Sequence, residues 1–401
     1  MPVYKYEAMN RHGSIVRGSV FSDDEPAAVT RLQDAGLIVL DLQIIRERSA
    51  SRRFRPGNKV KVADLALFSR QLAAMLGAGI PVTQALFTLS HQTVSPILKE
   101  ALEDISAAVE AGANLTQAFS RHSAVFPPIY VAMLSAGESG GSLETSLIRL
   151  STQLQTQKQL DDNIQSATSY PKMIGIFALL MFLAMLVFLV PIFEGFIPLG
   201  TPIPAITRAA FSLSHHLRGF WYLWLIVATA LIYAILRFAR SKKGRRIWEN
   251  NKMRLPIFGV IIQKSVIARF ARTLATLLQG GVSVVQALES AGPTSGSELV
   301  AAAVSDVIVQ IEEGKSIAQP LQKSGLFPPM VTNMIAIGEE SGTLPELLDK
   351  IAEFYEEDVS SLSKQLGSMI EPVMLIFIGV LVGGMLLSLY LPIFTAVTTA
   401  V

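Results

Sequence analysis

Two stretches of this chain are copies of one another, and each copy ends in an apolar run of membrane-spanning length. FSRQLAAMLGAGIPVTQAL at 68–86 recurs as FARTLATLLQGGVSVVQAL at 270–288, 202 positions later. FPPIYVAMLSAGESGGSL at 126–143 recurs as FPPMVTNMIAIGEESGTL at 327–344, now 201 positions later, a one-residue gap having fallen between Phe119 and Phe126. The register then holds into the apolar runs. Pro171 matches Pro372, and the Pro-Ile-Phe at 191–193 matches the one at 392–394. Chance similarity among apolar helices does not align Phe-Pro-Pro, Gly-Glu and Pro-Ile-Phe in one register. The chain is read as a duplication, which constrains its fold more than any other feature.

A helix needs about 20 apolar residues to cross the hydrocarbon core. Three runs satisfy this within the usual tilt and snorkelling: 173–193, 220–236 and 373–394. The second opens on Trp221, Tyr222 and Trp224, an interfacial aromatic belt. Two copies pointing the same way cannot be joined directly, because the first ends on the far side of the membrane. The middle run is the return helix that the duplication requires, and a pseudo-twofold axis along the membrane normal is expected. RFARSKKGRR follows the middle run, whereas 194–219 carries only Arg208 and Arg218. Positive residues stay inside, so 237–371 and the N-terminus are expected in the cytoplasm, and 194–219 and the tail outside.

Charge is segregated along the chain. Residues 62–171 hold five basic and nine acidic side chains, and 256–371 hold seven and fourteen. The segments 46–61 and 237–254 are strongly basic. Acidic modules between basic linkers fit a membrane surface and argue against nucleic-acid binding. There is no cysteine, which excludes a disulfide framework and thiolate chemistry. The opening MPVYKYEAMN has no apolar core region, so no cleaved signal peptide is expected.

The expected fold class is mainly α: an integral membrane protein with three transmembrane helices, two homologous cytoplasmic six-helix bundles and a small N-terminal ββαβ unit. In the first repeat, Leu65, Phe68, Leu72, Met75 and Leu76 recur at helical spacing up to Gly77-Ala78-Gly79. Pro81 and Pro96 suit first turns, Asn114 a helix cap, and Phe126-Pro127-Pro128 a break. A Gln-rich helix over 143–168 leads to the membrane. At the N-terminus, 4–9 and 14–21 read as a hairpin, Ser22 to Glu25 as a capping box, and 37–45 as a strand. The expected divisions are 1–45 (small α+β domain), 46–61 (basic linker), 62–171 (first bundle) and 172–193 (first span). They continue as 194–219 (outer loop), 220–236 (second span) and 237–255 (basic linker). The last three are 256–371 (second bundle), 372–394 (third span) and 395–401 (outer tail).

No catalytic, cofactor or metal constellation is recognisable. Gly314-Lys315-Ser316 resembles the end of a phosphate loop, but Val309 stands where the first glycine must be, and a helix precedes it. The five histidines, His12, His91, His122, His215 and His216, lack metal-binding spacing. Glu138 and Glu339 occupy the same turn of both repeats. They are read as carboxylates bonding N–H groups at the start of the following helix, with a contact or cation site at the bundle rim as the alternative. Pro171, Pro372 and Glu371 mark the membrane boundary and are candidate lever positions, each proline expected to kink its helix. Gly379, Gly383 and Gly384 form a small-residue face for helix packing.

The doubled F-x-R-x-L-A-x-L-L…Q-A-L block, the F-P-P plus G-E turn and the P-I-F ends resemble the F-domain proteins of type II secretion. Those are also the inner-membrane platform proteins of type IV pilus assembly. The resemblance covers nearly the whole chain, including KYEAMNRHGSIVRGSV near its start. It implies a non-enzymatic, oligomeric platform, multi-pass in the bacterial inner membrane, with a periplasmic C-terminus. Its implied partners are a cytoplasmic secretion ATPase, pilins or pseudopilins, other inner-membrane assembly proteins and the lipid bilayer. The tail IGVLVGGMLLSLYLPIF is more similar to the pilus branch than to the secretion branch, and both stay open. A small transporter or channel is the alternative from the residues alone, but the first two spans lack the mid-membrane polar or broken-helix positions it needs, and the third has only its glycines and Ser388.

Overall fold

The structure is a computed structural model of the 401-residue chain. It describes residues 3–9, 15–21, 26, 29, 33, 38–45, 60–197, 203–241, 244, 251–252 and 258–399. The chain divides into two units, Met1–Lys59 and Val60–Val401.

In the first unit β1 (Val3–Met9) pairs antiparallel with β2 (Ile15–Phe21) on one side and with β3 (Ile38–Ile45) on the other. The pairing with β3 shifts register between Glu7 and Ala8. Pro26, Val29 and Gln33 are helical. The Ser22–Glu25 capping box and most of both basic linkers lie outside the described residues.

The second unit holds the repeats. The first runs through α1 (Val62–Gly77), α2 (Val82–Gln92), α3 (Pro96–Glu110), α4 (Leu115–Ser120) and α5 (Pro128–Ser139). It ends in α6 (Leu143–Glu194), whose segment Met185–Leu189 is a π-helical turn. Helices α7 (Ala205–Gly219) and α8 (Trp221–Arg240) follow. The second repeat runs through α9 (Phe258–Gln279), α10 (Val284–Thr294), α11 (Glu298–Glu312), α12 (Ala318–Lys323), α13 (Pro329–Ser341) and α14 (Leu344–Thr399).

Local chemistry explains the boundaries. Asn114 accepts from the Gln117 N–H and Ser297 from the Val300 N–H, so both act as N-caps. Pro96, Pro128 and Pro329 sit in first turns, where a missing N–H is harmless. After α1 and α9 the chain turns through Gly79 and Gly281 at φ 78° and 82°, a left-handed backbone that favours glycine.

One apolar core runs through both bundles. Phe126 is fully buried, with its ring centroid 4.6 Å from Phe119 and 6.3 Å from Phe68. In the second repeat Phe327 meets Phe270 at 5.2 Å. The repeated Phe-Pro-Pro thus supplies a central core aromatic and then starts a helix; burying such a side chain stabilises by roughly 1.5–3 kcal/mol. Tyr130 is buried beside it with its hydroxyl 2.9 Å from that of Ser69, and burial pushes that phenol well above its usual range.

Among the described residues three helices are long and apolar enough to cross a membrane: Leu143–Glu194, Trp221–Ala239 and Leu344–Leu391. The protein is a mainly α membrane protein. Three features differ from the sequence reading. Helices α6 and α14 run on through Pro171 and Pro372 as single helices well past the expected end of the Gln-rich helix near residue 168. An interior proline deletes one backbone bond, and the remaining bonds on either side keep the helix going. Residues 194–219, expected as a loop, hold α7, and the expected outer tail is helical to Thr399. Finally, Gly137-Glu138-Ser139 belong to the last turn of α5, so the turn itself begins at Gly140.

Candidate coupling site

The Gly-Glu pair in each repeat has two separable tasks. A Cβ added to Gly137 would lie 2.7 Å from the Ser146 hydroxyl oxygen, and one on Gly338 would lie 2.8 Å from the Leu344 Cα. Glycine lets the end of α5 or α13 cross the start of the long helix at close range. The glutamate then points elsewhere. Glu138 accepts from the Leu115 N–H at 2.7 Å, the Thr116 N–H at 2.9 Å and the Thr116 hydroxyl. Glu339 accepts from the Ile317 N–H at 3.0 and 2.9 Å. The carboxylates therefore cap α4 and α12, which precede them in the chain, not the helix that follows. The sequence misses this because the partner lies 22 and 23 residues upstream. Partial burial pushes the Glu138 pKa up, but the bonds from Thr116 and Leu115 outweigh it and hold the carboxyl below its ordinary value. Among the described residues no cluster of three or more His, Asp or Glu side chains could hold a metal.

A seam joins the repeats. The Arg149 guanidinium donates to the Gln279 carbonyl at the end of α9. Thr276 donates to the Gln153 side-chain oxygen at 3.2 Å, and the Gln153 amide reaches the Thr273 hydroxyl at 3.4 Å. Arg269 pairs with Asp161 at 2.8 Å. Helix α9 is tied equally firmly to its own repeat. Arg272 grips Glu356 at 2.8 and 2.7 Å and also bonds Asp349, while Lys264 pairs with Asp358. A helix held on both sides is buried almost all round, as its run of buried residues from Ser265 to Leu277 shows.

From this seam α6 and α14 continue into the membrane. Just before Pro171 the hydroxyls of Ser166, Thr168 and Ser169 bond back to carbonyls three or four residues earlier. Such back-bonds loosen a helix turn, and the proline removes a backbone bond, so the helix is weakened at this boundary. Glu371 and Pro372 are exposed at the same place in α14. Cβ atoms added at Gly379, Gly383 or Gly384 would meet nothing within 4 Å, so among the described residues nothing packs closely on these three positions.

At the ends of the spans distal to the bundles, α7 fills the crevice between α6 and α14. Leu186, Val190, Phe211, Met385 and Leu389 form a second buried cluster there. The buried Thr207 hydroxyl donates to the Ser388 carbonyl at 2.6 Å, and the buried Ser214 hydroxyl donates to the Leu186 carbonyl at 2.6 Å. Leu186 lies in the π-helical turn, whose altered bonding presents a carbonyl to a neighbour. A window of mixed Ser, Thr and apolar residues gave the sequence reading no spanning-length signal, although its spacing at Thr207, Phe211 and Ser214 is helical.

Comparison with known proteins places this architecture. The family model for type II secretion system (T2SS) protein F matches residues 68–191 and again 270–392, and the model for that protein's N-terminal domain matches 1–43. The type IV pilus assembly protein PilC of Thermus thermophilus is 37% identical over 407 residues, covering 100% of this chain and 99% of that protein. PilC of Myxococcus xanthus is 33% identical, covering 98% and 94%. The type II secretion system protein F of Pseudomonas aeruginosa is 30% identical, covering 98% of each chain. With the repeat matched twice in the register read from the residues, the chain belongs to the type II secretion system protein F family.

Proposed function

We propose that the chain is an inner-membrane platform that couples a separate cytoplasmic secretion ATPase to the movement of pilin or pseudopilin subunits. In this reading the bundles and N-terminus face the cytoplasm and bind the ATPase. The spans meet the pilin-like helices in the bilayer, and the tail is periplasmic. The observation that carries it is the unbroken passage from each bundle into the membrane, through α6 (Leu143–Glu194) and α14 (Leu344–Thr399). A hydrogen-bonded helix transmits torque, whereas a flexible linker would dissipate it. The seam adds a mechanical link, because α9 is bonded to both long helices. Turning a bundle moves its span, with the soft turn at Pro171 setting the hinge. The failed phosphate-loop match at Gly314-Lys315-Ser316 leaves ATP hydrolysis to another chain.

The test inserts a flexible Gly-Ser stretch between Gln165 and Ser169. Pilus assembly or secretion is expected to be lost while membrane insertion, bundle stability and ATPase binding stay normal. A variant that assembles pili or secretes as the parent does would remove the mechanical reading.

A further inference from the structure

Each repeat ends in a proline that leaves a backbone carbonyl open in the membrane. Pro191 and Pro392 stand at the same place in the two copies, within the helical distal ends of α6 and α14. A proline has no N–H, so one carbonyl of its helix loses its usual donor. Lipid offers that carbonyl no solvent partner, and leaving it open is costly.

In α14 the amide of residue 392 would bond the carbonyl four residues back, that of Ser388. In α6 the turn at Met185–Leu189 is π-helical, and the Val190 N–H bonds the Met185 carbonyl five residues back. The next carbonyl in that pattern belongs to Leu186, and its donor would be residue 191, again a proline. These two carbonyls are the ones that α7 reaches. Thr207 donates its hydroxyl to Ser388 and Ser214 donates to Leu186, each at 2.6 Å.

A helical Ser or Thr commonly bonds back into its own helix, as the exposed Ser212 does with the Arg208 carbonyl at 2.9 Å. Thr207 and Ser214 donate across to other helices instead. With Phe211 they line one face of α7 at i, i+4 and i+7 spacing; Thr207, Phe211 and Ser214 are 0%, 7% and 2% exposed. Helix α7 lies outside both matched repeats, yet it gives one hydroxyl to each.

We propose that α7 is a clasp that fixes the distal ends of α6 and α14 as a common pivot, the hydroxyls of Thr207 and Ser214 standing in for the amides that Pro392 and Pro191 lack. A span without the proline would satisfy its own carbonyls and offer α7 nothing. Opening the clasp strands two acceptors in lipid at once, so the distal ends stay together while the bundle ends move. Phe193 and Tyr390, in edge contact with ring centroids 6.0 Å apart, lie at the same end of the two helices. The clasp stands on the hydrogen bonds alone, whereas the pivot rests on α6 and α14 acting as levers.

The chain has no cysteine, so a Leu217→Cys reporter on α7 reads opening through its rate of maleimide labelling. Thr207→Val should raise that rate about fivefold in the parent, but less than about twofold beside Pro392→Ala, whose new amide fills the Ser388 carbonyl. Beside Pro191→Ala, which leaves Ser388 open, the full rise should remain. Ser214→Ala should behave the other way round, nearly silent beside Pro191→Ala and fully effective beside Pro392→Ala. Rises of equal size in all three backgrounds, or none in the parent, would overturn the clasp. For the pivot, Phe193→Cys and Tyr390→Cys in one chain are joined by a short bifunctional thiol reagent, with the cysteine-free parent treated alike. Pilus assembly or secretion should continue in the cross-linked variant. Loss there, but not in the treated parent, would overturn the pivot. The Gly-Ser insertion between Gln165 and Ser169 reports on the levers separately, so a failed pivot and a failed lever give different results.

Discussion

At the level of single residues, the Gly-Glu pair shows how one short motif serves two contacts. Gly137 sets the crossing of α5 with α6, and Glu138 reaches back to the open N–H groups of α4. The sequence marks both as special by repeating them as Gly338 and Glu339, and it places a carboxylate near a helix start. It assigns that carboxylate to the wrong helix, because side-chain direction depends on how the helices cross. Glu138→Gln is expected to cost about 1 kcal/mol, the usual scale for losing a cap. The pH dependence has a definite sign. A carboxyl whose folded pKa lies below its unfolded value of about 4.3 stabilises fully above that value and loses the contribution as pH falls through the folded pKa. Thermal unfolding of parent and Glu138→Gln should therefore differ at neutral pH and converge in acid. A gap that persists or widens in acid would refute the assignment.

Among the elements, the least expected is α7. The sequence reading treats 194–219 as a connection, yet a 15-residue helix there seals the crevice between two spans through Phe211 and two hydroxyl-to-carbonyl bonds. Where water is excluded, a backbone carbonyl freed by a π-helical turn needs a donor, and Ser214 supplies it. Thr207→Val and Ser214→Ala each remove one such donor, at about 1 kcal/mol apiece and so roughly a fivefold rise in local opening. Maleimide labelling of a Leu217→Cys reporter should speed up by about that factor in either background. An unchanged rate would mean that α7 is held by its apolar face alone. Helices α6 and α14 carry the opposite lesson. Prolines that read as boundaries are accommodated inside continuous helices, because two neighbouring turns hold the rod together around one missing bond.

For the whole molecule, the duplication accounts for the order of elements but not for their arrangement. Two like bundles could have met across a twofold; instead α9 lies between α6 and α14, and the equivalent α1 has no such second neighbour among the described residues. Membrane direction belongs to the same scale, since it is a property of charge distribution along the entire chain. A periplasm-dependent reporter fused at Leu199 should be active, and a cytoplasm-dependent reporter should be active at Gly296. The reverse pattern would turn the molecule over and place both bundles away from any cytoplasmic ATPase.

What the sequence determined by itself is what short-range physics writes locally. Apolar runs of about 20 residues specify spans because lipid leaves a helix no alternative. The 202- and 201-residue register specifies two like modules, and caps, glycines and prolines specify most helix starts and ends. The tertiary structure alone decided which faces those helices present to one another. Gln153 and Phe354 occupy the same place in the repeat, but one is buried and the other exposed, because only one of them lies beneath α9. Periodicity assigns a residue to a face; what covers that face depends on packing between segments more than a hundred residues apart, a contact that no local pattern records.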